Sequence, residues 1–330
     1  MRKYENNIVI SVIIPTYNND KTIIEAIQSI VNVEMPVKYE VLVIDDGSVD
    51  QTSNLIAEYI SQRKDNTIKY FYQKNSGVSA ARNVGIKNAL GKYVLFLDAD
   101  DTYSEHVLKE IDEILSTNND IYVFSYEKLN NKKAIISNKK NIITHYNSKY
   151  DFLNSYISGE LFGCVSVCSC IFSKESLISN NIFYDSKIAY GEDQWFLINA
   201  LKVCNDVEFR LELNLLNYTY NTESATNRFN LRRFDAITML ERINQEAFKV
   251  NQDIINARIN KELVNIATIY TKFNSLQKSI MFVNNVILPK IKTDSDKRLY
   301  MFKDMVFTRL PYLYIILYKL YIKLDRKSVV

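Results

Sequence analysis

Between Ile8 and Leu97 four short apolar runs alternate with three segments of helical spacing, and few folds accommodate that alternation. The runs are Ile8 to Ile14, Val41 to Ile44, Ile68 to Tyr72 and Tyr93 to Leu97. Rich in β-branched, leucine and aromatic residues, they predict strands covered on both faces. Thr22 to Val31 places Ile23, Ile27, Ile30 and Val31 at helical spacing, and Asp50 is placed to cap a helix running to about Ser61. Val78 to Leu90 predicts a third helix, closed by Gly91 just past its end. The β-α-β-α-β-α-β order predicts a parallel sheet with helices on both faces and with its strand ends along one edge.

Polar residues follow the strands. Thr16, Tyr17 and Asn18 come after the first, Asp45, Asp46, Gly47 and Ser48 after the second, and Asp98, Ala99, Asp100 and Asp101 after the fourth. Open α/β sheets bind ligands in the crevice beyond the carboxyl ends of their strands. Carboxylates crowded into the last turn raise one another's pKa unless a cation sits among them. An oxygen-only set suits Mg²⁺ or Mn²⁺, which keeps waters and shares its remaining positions with phosphates. The competing reading is a solvated turn in which an aspartate or Ser104 caps a helix near Glu105. Convergence of three polar clusters favours a site. A GxGxxG turn and a Walker loop are both absent, and the chain has only seven glycines, so bound phosphates would need a metal.

Two histidines, His106 and His145, argue against a Ser-His-Asp triad and a histidine-built zinc site. A net charge of +3 makes no case for nucleic acid. Four cysteines without a secretory leader point to a reducing compartment, and no run reaches the roughly eighteen apolar residues of a membrane span. In an extended strand Cys164 and Cys168 stand about 13 Å apart, so with Cys170 they are expected as small core residues rather than zinc ligands.

The segments VIIPTYNN, VLVIDDGSVDQT, NSGVSAARNVGI, YVLFLDADD and GEDQWF, in that order and spacing, resemble the family 2 glycosyltransferases of GT-A fold, over about the first two-thirds of the chain. The resemblance implies an α/β, Rossmann-type nucleotide-sugar-binding sheet followed by a helical C-terminal region. Tyr17, flanked by Thr16 and Asn18, would stack on the base, and Asp46, with Asp45 nearby, would accept a hydrogen bond from a uracil N3–H. Arg82 would help close the base pocket, Asp98 would contact the ribose, and Asp100 would ligate the Mn²⁺ or Mg²⁺ bridging the diphosphate. Packing under the first helix is the plainer reading of Tyr17, and an ion pair with Asp45 or Asp46 that of Arg82. The resemblance also makes Asp193 the general base, with Glu192 orienting the site and Trp195 offering an apolar wall to an acceptor sugar. Capping alone would explain an acidic pair at that helix start. Relatives place a histidine near the segment Tyr218 to Arg228, which this chain lacks; Asn221, Ser224 or Arg228 could take its place at the diphosphate.

Three regions are expected: 1–127, the nucleotide-sugar half; 128–228, the acceptor half of the same domain, with a polar hairpin or loop from Lys128 to Lys149; and 229–330, helical. In the last, Leu313, Leu317, Leu320 and Leu324 line one helical face, and Lys319, Lys323, Arg326 and Lys327 lie on or near the opposite one. That pattern fits a helix lying on an anionic membrane, or one packed on the catalytic domain or on a second copy in a homo-oligomer. The expected activity is metal-assisted, inverting transfer of a hexose-type sugar from a UDP-sugar to a saccharide acceptor. The acceptor would be lipid-linked, at the cytoplasmic face of a bacterial membrane, in surface polysaccharide synthesis. A nucleotidyltransferase and a non-catalytic membrane-bound partner are the alternatives; the first would want a glycine- and lysine-rich loop where PTYNN stands.

Overall fold

A computed structural model describes residues 7–130, 133–134, 146, 148–161, 163–219, 229–245, 250–292 and 302–325. The chain divides into two compact units. One comprises Met1–Lys149, Phe162–Lys187 and Glu192–Tyr220; the other comprises Tyr150–Leu161, Ile188–Gly191 and Asn221–Val330.

The first unit opens with β1 (Ile10–Thr16), α1 (Ile23–Val31), β2 (Tyr39–Asp45), α2 (Thr52–Gln62), β3 (Ile68–Tyr72), α3 (Val78–Asn88) and β4 (Tyr93–Phe96). The expected alternation is therefore present. Pairing is parallel in the order β3-β2-β1-β4, with Thr16 level with Asp45 and Ile13 level with Phe96. Every residue of β1 and β4 is buried, which is why these strands carry no polar alternation.

The sheet then departs from the parallel expectation. After β5 (Thr102–Tyr103), α4 (Glu105–Lys109) and α5 (Ile111–Leu115) come β6 (Ile121–Asn130), β7 (Lys133–Ala134), α6 (Lys149–Ser158), β8 (Cys170–Ser173), α7 (Lys174–Ser179), α8 (Glu192–Val203) and β9 (Val207–Thr219). β8 runs antiparallel to both β4 and β6, while β9 is parallel to β6 and antiparallel to β5. β6 and β7 form a short hairpin, so the polar stretch after Lys128 begins as paired backbone; much of its remainder lies outside the described residues.

Three local expectations are corrected. α2 begins at Thr52, with Gln51 in the cap position, although the Asp50 carboxylate does accept the Thr52 N–H at 3.0 Å. α3 ends at Asn88, and Gly91 is not a left-handed cap. It is needed for close approach, because a Cβ there would lie 2.5 Å from the Ser11 backbone nitrogen of β1. Residues 167–169 form a 3₁₀ turn capped by Ser166, so the cysteines do not share one strand; Cys168 and Cys170 are buried, as core residues should be.

The second unit holds most of α6 together with α9 (Asp235–Gln245), α10 (Gln252–Phe273), α11 (Leu276–Phe282), α12 (Phe302–Arg309) and α13 (Pro311–Asp325). Asn251 caps α10 through the Asp253 N–H, and the helix buries Ile255, Ile259, Leu263, Val264, Ile266 and Ala267. α13 turns Ile315 inward and joins Tyr314 to Thr268 at 2.8 Å, while Leu313, Leu317 and Leu320 are each about half exposed. Among the described residues no helix is long and apolar enough to cross a membrane. The Leu324, Lys323, Arg326 and Lys327 side chains lie outside the described residues.

Candidate active site

The carboxyl ends of β1, β2 and β4 border a cleft of about 210 Å³ lined by Thr16, Tyr17, Asn19, Asp46, Val78, Ala81, Asp98 and Asp100 among others. Two turns build its floor. Asn18, at φ +54°, donates its N–H to the Ser48 hydroxyl and accepts the Val49 N–H on its side chain, while Asn19 accepts the Tyr17 N–H at 3.0 Å. That fastening leaves the Tyr17 ring 46% exposed, open to a planar ligand rather than packed under α1.

The two aspartates after β2 have different employments. Asp45 is fully buried and accepts from the Ser48 N–H at 2.8 Å and the Tyr70 hydroxyl at 2.7 Å; it holds the turn and does not line the cleft. Asp46 lines it. Its oxygens accept from Gln73 Nε2, the Ser76 N–H and the Gly77 N–H, all at 2.7–2.8 Å, so it also orders the loop leading into α3.

Arg82, projecting from α3, is 2% exposed and is not among the residues that line the cleft. Nor does it pair with Asp45 or Asp46. Its Nη2 donates to Asp98 at 2.7 Å, and its Nη1 lies 2.5 Å from Asp193 and 3.5 Å from Glu192. The guanidinium sits 5.0 Å from the Tyr184 ring centroid, and that ring stacks on Phe196 of α8 at 4.2 Å. Tyr184 had no signal in the sequence, and neither did Asn83, whose side-chain amide bonds both the N–H and the C=O of Tyr184.

Glu192 and Asp193 open α8, as expected, and Asp193 keeps about a third of its side chain exposed. Burial pushes its carboxyl up to about 8 against the opposing pull of Arg82, with Glu192 and Asp98 adding to the rise. Trp195 is only 5% exposed; it packs inside and presents no open wall to a sugar.

Asp100 is exposed beside the cleft, and burial of its surroundings followed by the Asp98 charge raises its carboxyl. Asp101 is buried, accepts the Thr219 N–H at 2.8 Å and is pushed up to about 9, by burial first and then by Asp98. Among the described residues no cation pairs with these carboxyls, which fits a divalent ion at Asp100. No group of three or more His, Cys, Asp or Glu side chains among the described residues is arranged to hold a metal by itself. Donor oxygens and water would complete the coordination, the usual manner of Mg²⁺ and Mn²⁺. Asn221, Ser224 and Arg228 lie outside the described residues.

A parallel sheet with a cleft over its strand ends is the architecture of nucleotide-binding α/β proteins. More narrowly, the chain belongs to glycosyl transferase family 2, whose model matches residues 11–179. An uncharacterized glycosyltransferase of Rickettsia conorii is 31% identical over 300 residues, covering 87% of this chain and 46% of that protein. The poly(ribitol-phosphate) β-N-acetylglucosaminyltransferase TarS of Staphylococcus aureus is 27% identical over 199 residues, 60% of this chain and 33% of its own. The crystal structure of S. aureus TarS 1–349 in complex with UDP-GlcNAc matches at a TM-score of 0.61 and 21% identity, covering 97% of this chain and 92% of that one. The fold is thus the GT-A type that the sequence motifs implied. The chain spans less than half the length of these curated relatives.

Proposed function

We propose that the protein is an inverting glycosyltransferase that moves a hexose-type sugar from a UDP-sugar to a hydroxyl of a saccharide acceptor. The carrying observation is the arrangement around Arg82, which ties Asp193 to Asp98, a residue that lines the cleft together with the exposed Tyr17 and Asp100. Tyr17 stacks on the base, Asp46 receives the uracil N3–H on lone pairs left over from its loop bonds, and Asp98 turns its oxygen not held by Arg82 to the ribose. Asp193 takes the acceptor's proton as that oxygen attacks the anomeric carbon opposite the nucleotide, and a carboxyl pushed up to about 8 is matched to that task near neutral pH. A divalent ion at Asp100, when bound, supplies positive charge against the departing diphosphate. Support for the UDP-sugar comes from TarS, a family member crystallised with UDP-GlcNAc. Support for a surface-polymer acceptor comes from the same protein's action on poly(ribitol phosphate). A lipid-linked acceptor at the inner membrane face accords with the exposed leucines of α13.

Calorimetric titration of UDP and a panel of nucleotide sugars, with Mn²⁺ or Mg²⁺ and then with chelator, tests this reading. Metal-dependent binding of UDP and of one UDP-sugar, lost in Asp100→Ala, is expected. Failure of every nucleotide sugar to bind would overturn the donor assignment.

A further inference from the structure

We propose that Arg82 is a positioning residue for the proton-accepting carboxylate, tying Asp193 to Asp98, and that it is not a nucleobase contact. The inference rests on the reading of Asp193 given above. Arg82 reaches two carboxylates that are far apart in the chain, Asp98 at the end of β4 and Asp193 in the first turn of α8, and each takes a different Nη. A planar guanidinium fixes two acceptors relative to each other in a way that an ammonium on a flexible stem cannot. Its own position is fixed from behind. Tyr184 lies against its face, Phe196 lies against Tyr184, and Asn83, the next residue of α3, clamps the Tyr184 backbone from both sides. Two adjacent residues of α3 therefore hold the first turn of α8, one through its carboxylates and one through the aromatic platform beneath.

The cost of this arrangement is visible in unpaired atoms. Arg82 Nε and the Tyr184 hydroxyl are buried without a hydrogen-bond partner among the described residues. Each is a buried polar group left unpaired in the pair of side chains that stack, and an orphaned group of that kind calls for a reason other than core packing.

The charged and titratable groups facing Asp193 are Arg82 from α3, Asp98 from the end of β4, Glu192 from its own helix, and the neutral Tyr184 and Cys168. Arg82 is the one cation in that set. Without it, Asp98 and Glu192 both oppose ionisation of Asp193, and the carboxyl holds its proton to higher pH.

The chain has one tryptophan, Trp195, buried in the same turn of α8 as Asp193, and a pH transition in its fluorescence is assigned to that carboxyl by its loss in Asp193→Asn, without any need for turnover. The experiment is a pH titration of Trp195 fluorescence in the full chain for wild type, Arg82→Gln, Arg82→Lys and Asp193→Asn, with UDP binding in Mn²⁺ by calorimetry and circular dichroism as a check of folding. The expected result is a transition that Asp193→Asn abolishes, that Arg82→Gln moves to higher pH and that Arg82→Lys moves less. UDP affinity should fall in the arginine variants by no more than it does in Asp98→Asn, which alters the ribose contact that Arg82 holds in place. UDP release from the sugar donor should fall about a hundredfold in Arg82→Lys, mainly in kcat, the scale of loss expected from a misplaced catalytic group. An unmoved transition in a folded Arg82 variant would overturn the proposal, and so would a loss of UDP affinity tenfold or more beyond that of Asp98→Asn, which would return Arg82 to the base pocket. Should Arg82→Gln fail to fold, Arg82→Lys carries the same test. A wild type that binds no UDP would instead sink the donor reading, while the fluorescence transition would still decide the role of Arg82.

Discussion

At Asp193 the surroundings set a pH dependence. The carboxyl is raised to about 8, so it remains protonated, and useless as a base, until the pH approaches that value. Transfer should therefore rise with pH on an acid limb centred near 8, measured as kcat/KM against pH at fixed donor and metal. A limb at the ordinary carboxylate position, near 4, would show that the surroundings do not raise this carboxyl in the working enzyme. Asp193→Asn should lower transfer by at least about 10²-fold while leaving UDP binding intact. The two aspartates after β2 separate in the same manner. Asp45→Asn disturbs a buried turn and should cost roughly 1–3 kcal/mol in a denaturant titration, whereas Asp46→Ala should weaken UDP binding as well.

Among the elements, the corner where β1, β2 and the end of α3 meet depends on one buried carboxylate and two glycines. Glu40 accepts from the Ser11 hydroxyl and the Leu90 N–H at 2.6 Å and from Lys69 at 2.7 Å. Burial acts to raise its carboxyl, but these bonds outweigh it and the net shift is downward. A lowered folded pKa gives stability that is complete above the unfolded value of about 4.5 and lost as the pH falls through the folded one. Glu40→Gln should flatten that acid branch of thermal stability, and Glu40→Ala should cost roughly 2–4 kcal/mol by leaving its partners without an acceptor. An unchanged acid branch in the glutamine variant would remove Glu40 from this role. Gly85→Ala reverses a familiar expectation. In a helix interior the change normally stabilises by about 1 kcal/mol. Here the added Cβ would stand 2.3 Å from Ile13 Cγ2, so a loss of about 1–3 kcal/mol is expected by denaturant titration.

For the molecule as a whole, the exposed leucines of α13 bear on where the protein works. Leu313, Leu317 and Leu320 carry an apolar stripe that the second unit does not cover, while the opposite face packs on α10 through Tyr314 and Ile315. Replacing the three by serine should cost little thermal stability, because each is already about half exposed. Sedimentation with vesicles rich in anionic lipid should fall several-fold. Equal sedimentation of variant and wild type would remove α13 as the membrane contact.

Much of this architecture was legible in the sequence. The inner strands β1 and β4 announced themselves as apolar runs because both faces are covered, whereas the edge strand β3 is only partly buried, and the polar ends of β1, β2 and β4 marked the edge on which Thr16, Tyr17, Asp46, Asp98 and Asp100 gather. A strand buried on both faces carries no mark of its direction, however, so the antiparallel insertion of β8 beside β4 could be seen only in the pairing itself. The partners of Arg82 were equally out of reach, since one lies 16 residues away and the other 111. Trp195, expected from the resemblance to offer a wall to an acceptor sugar, is buried in the core. Local pattern determined which segments are strands and helices and where polar chemistry could stand, because hydrophobic period and capping act between near neighbours. Which carboxylate meets which cation, and which aspartate faces a ligand rather than a turn, was decided by tertiary structure, because ion pairs and burial depend on separations in space that the order of residues does not encode.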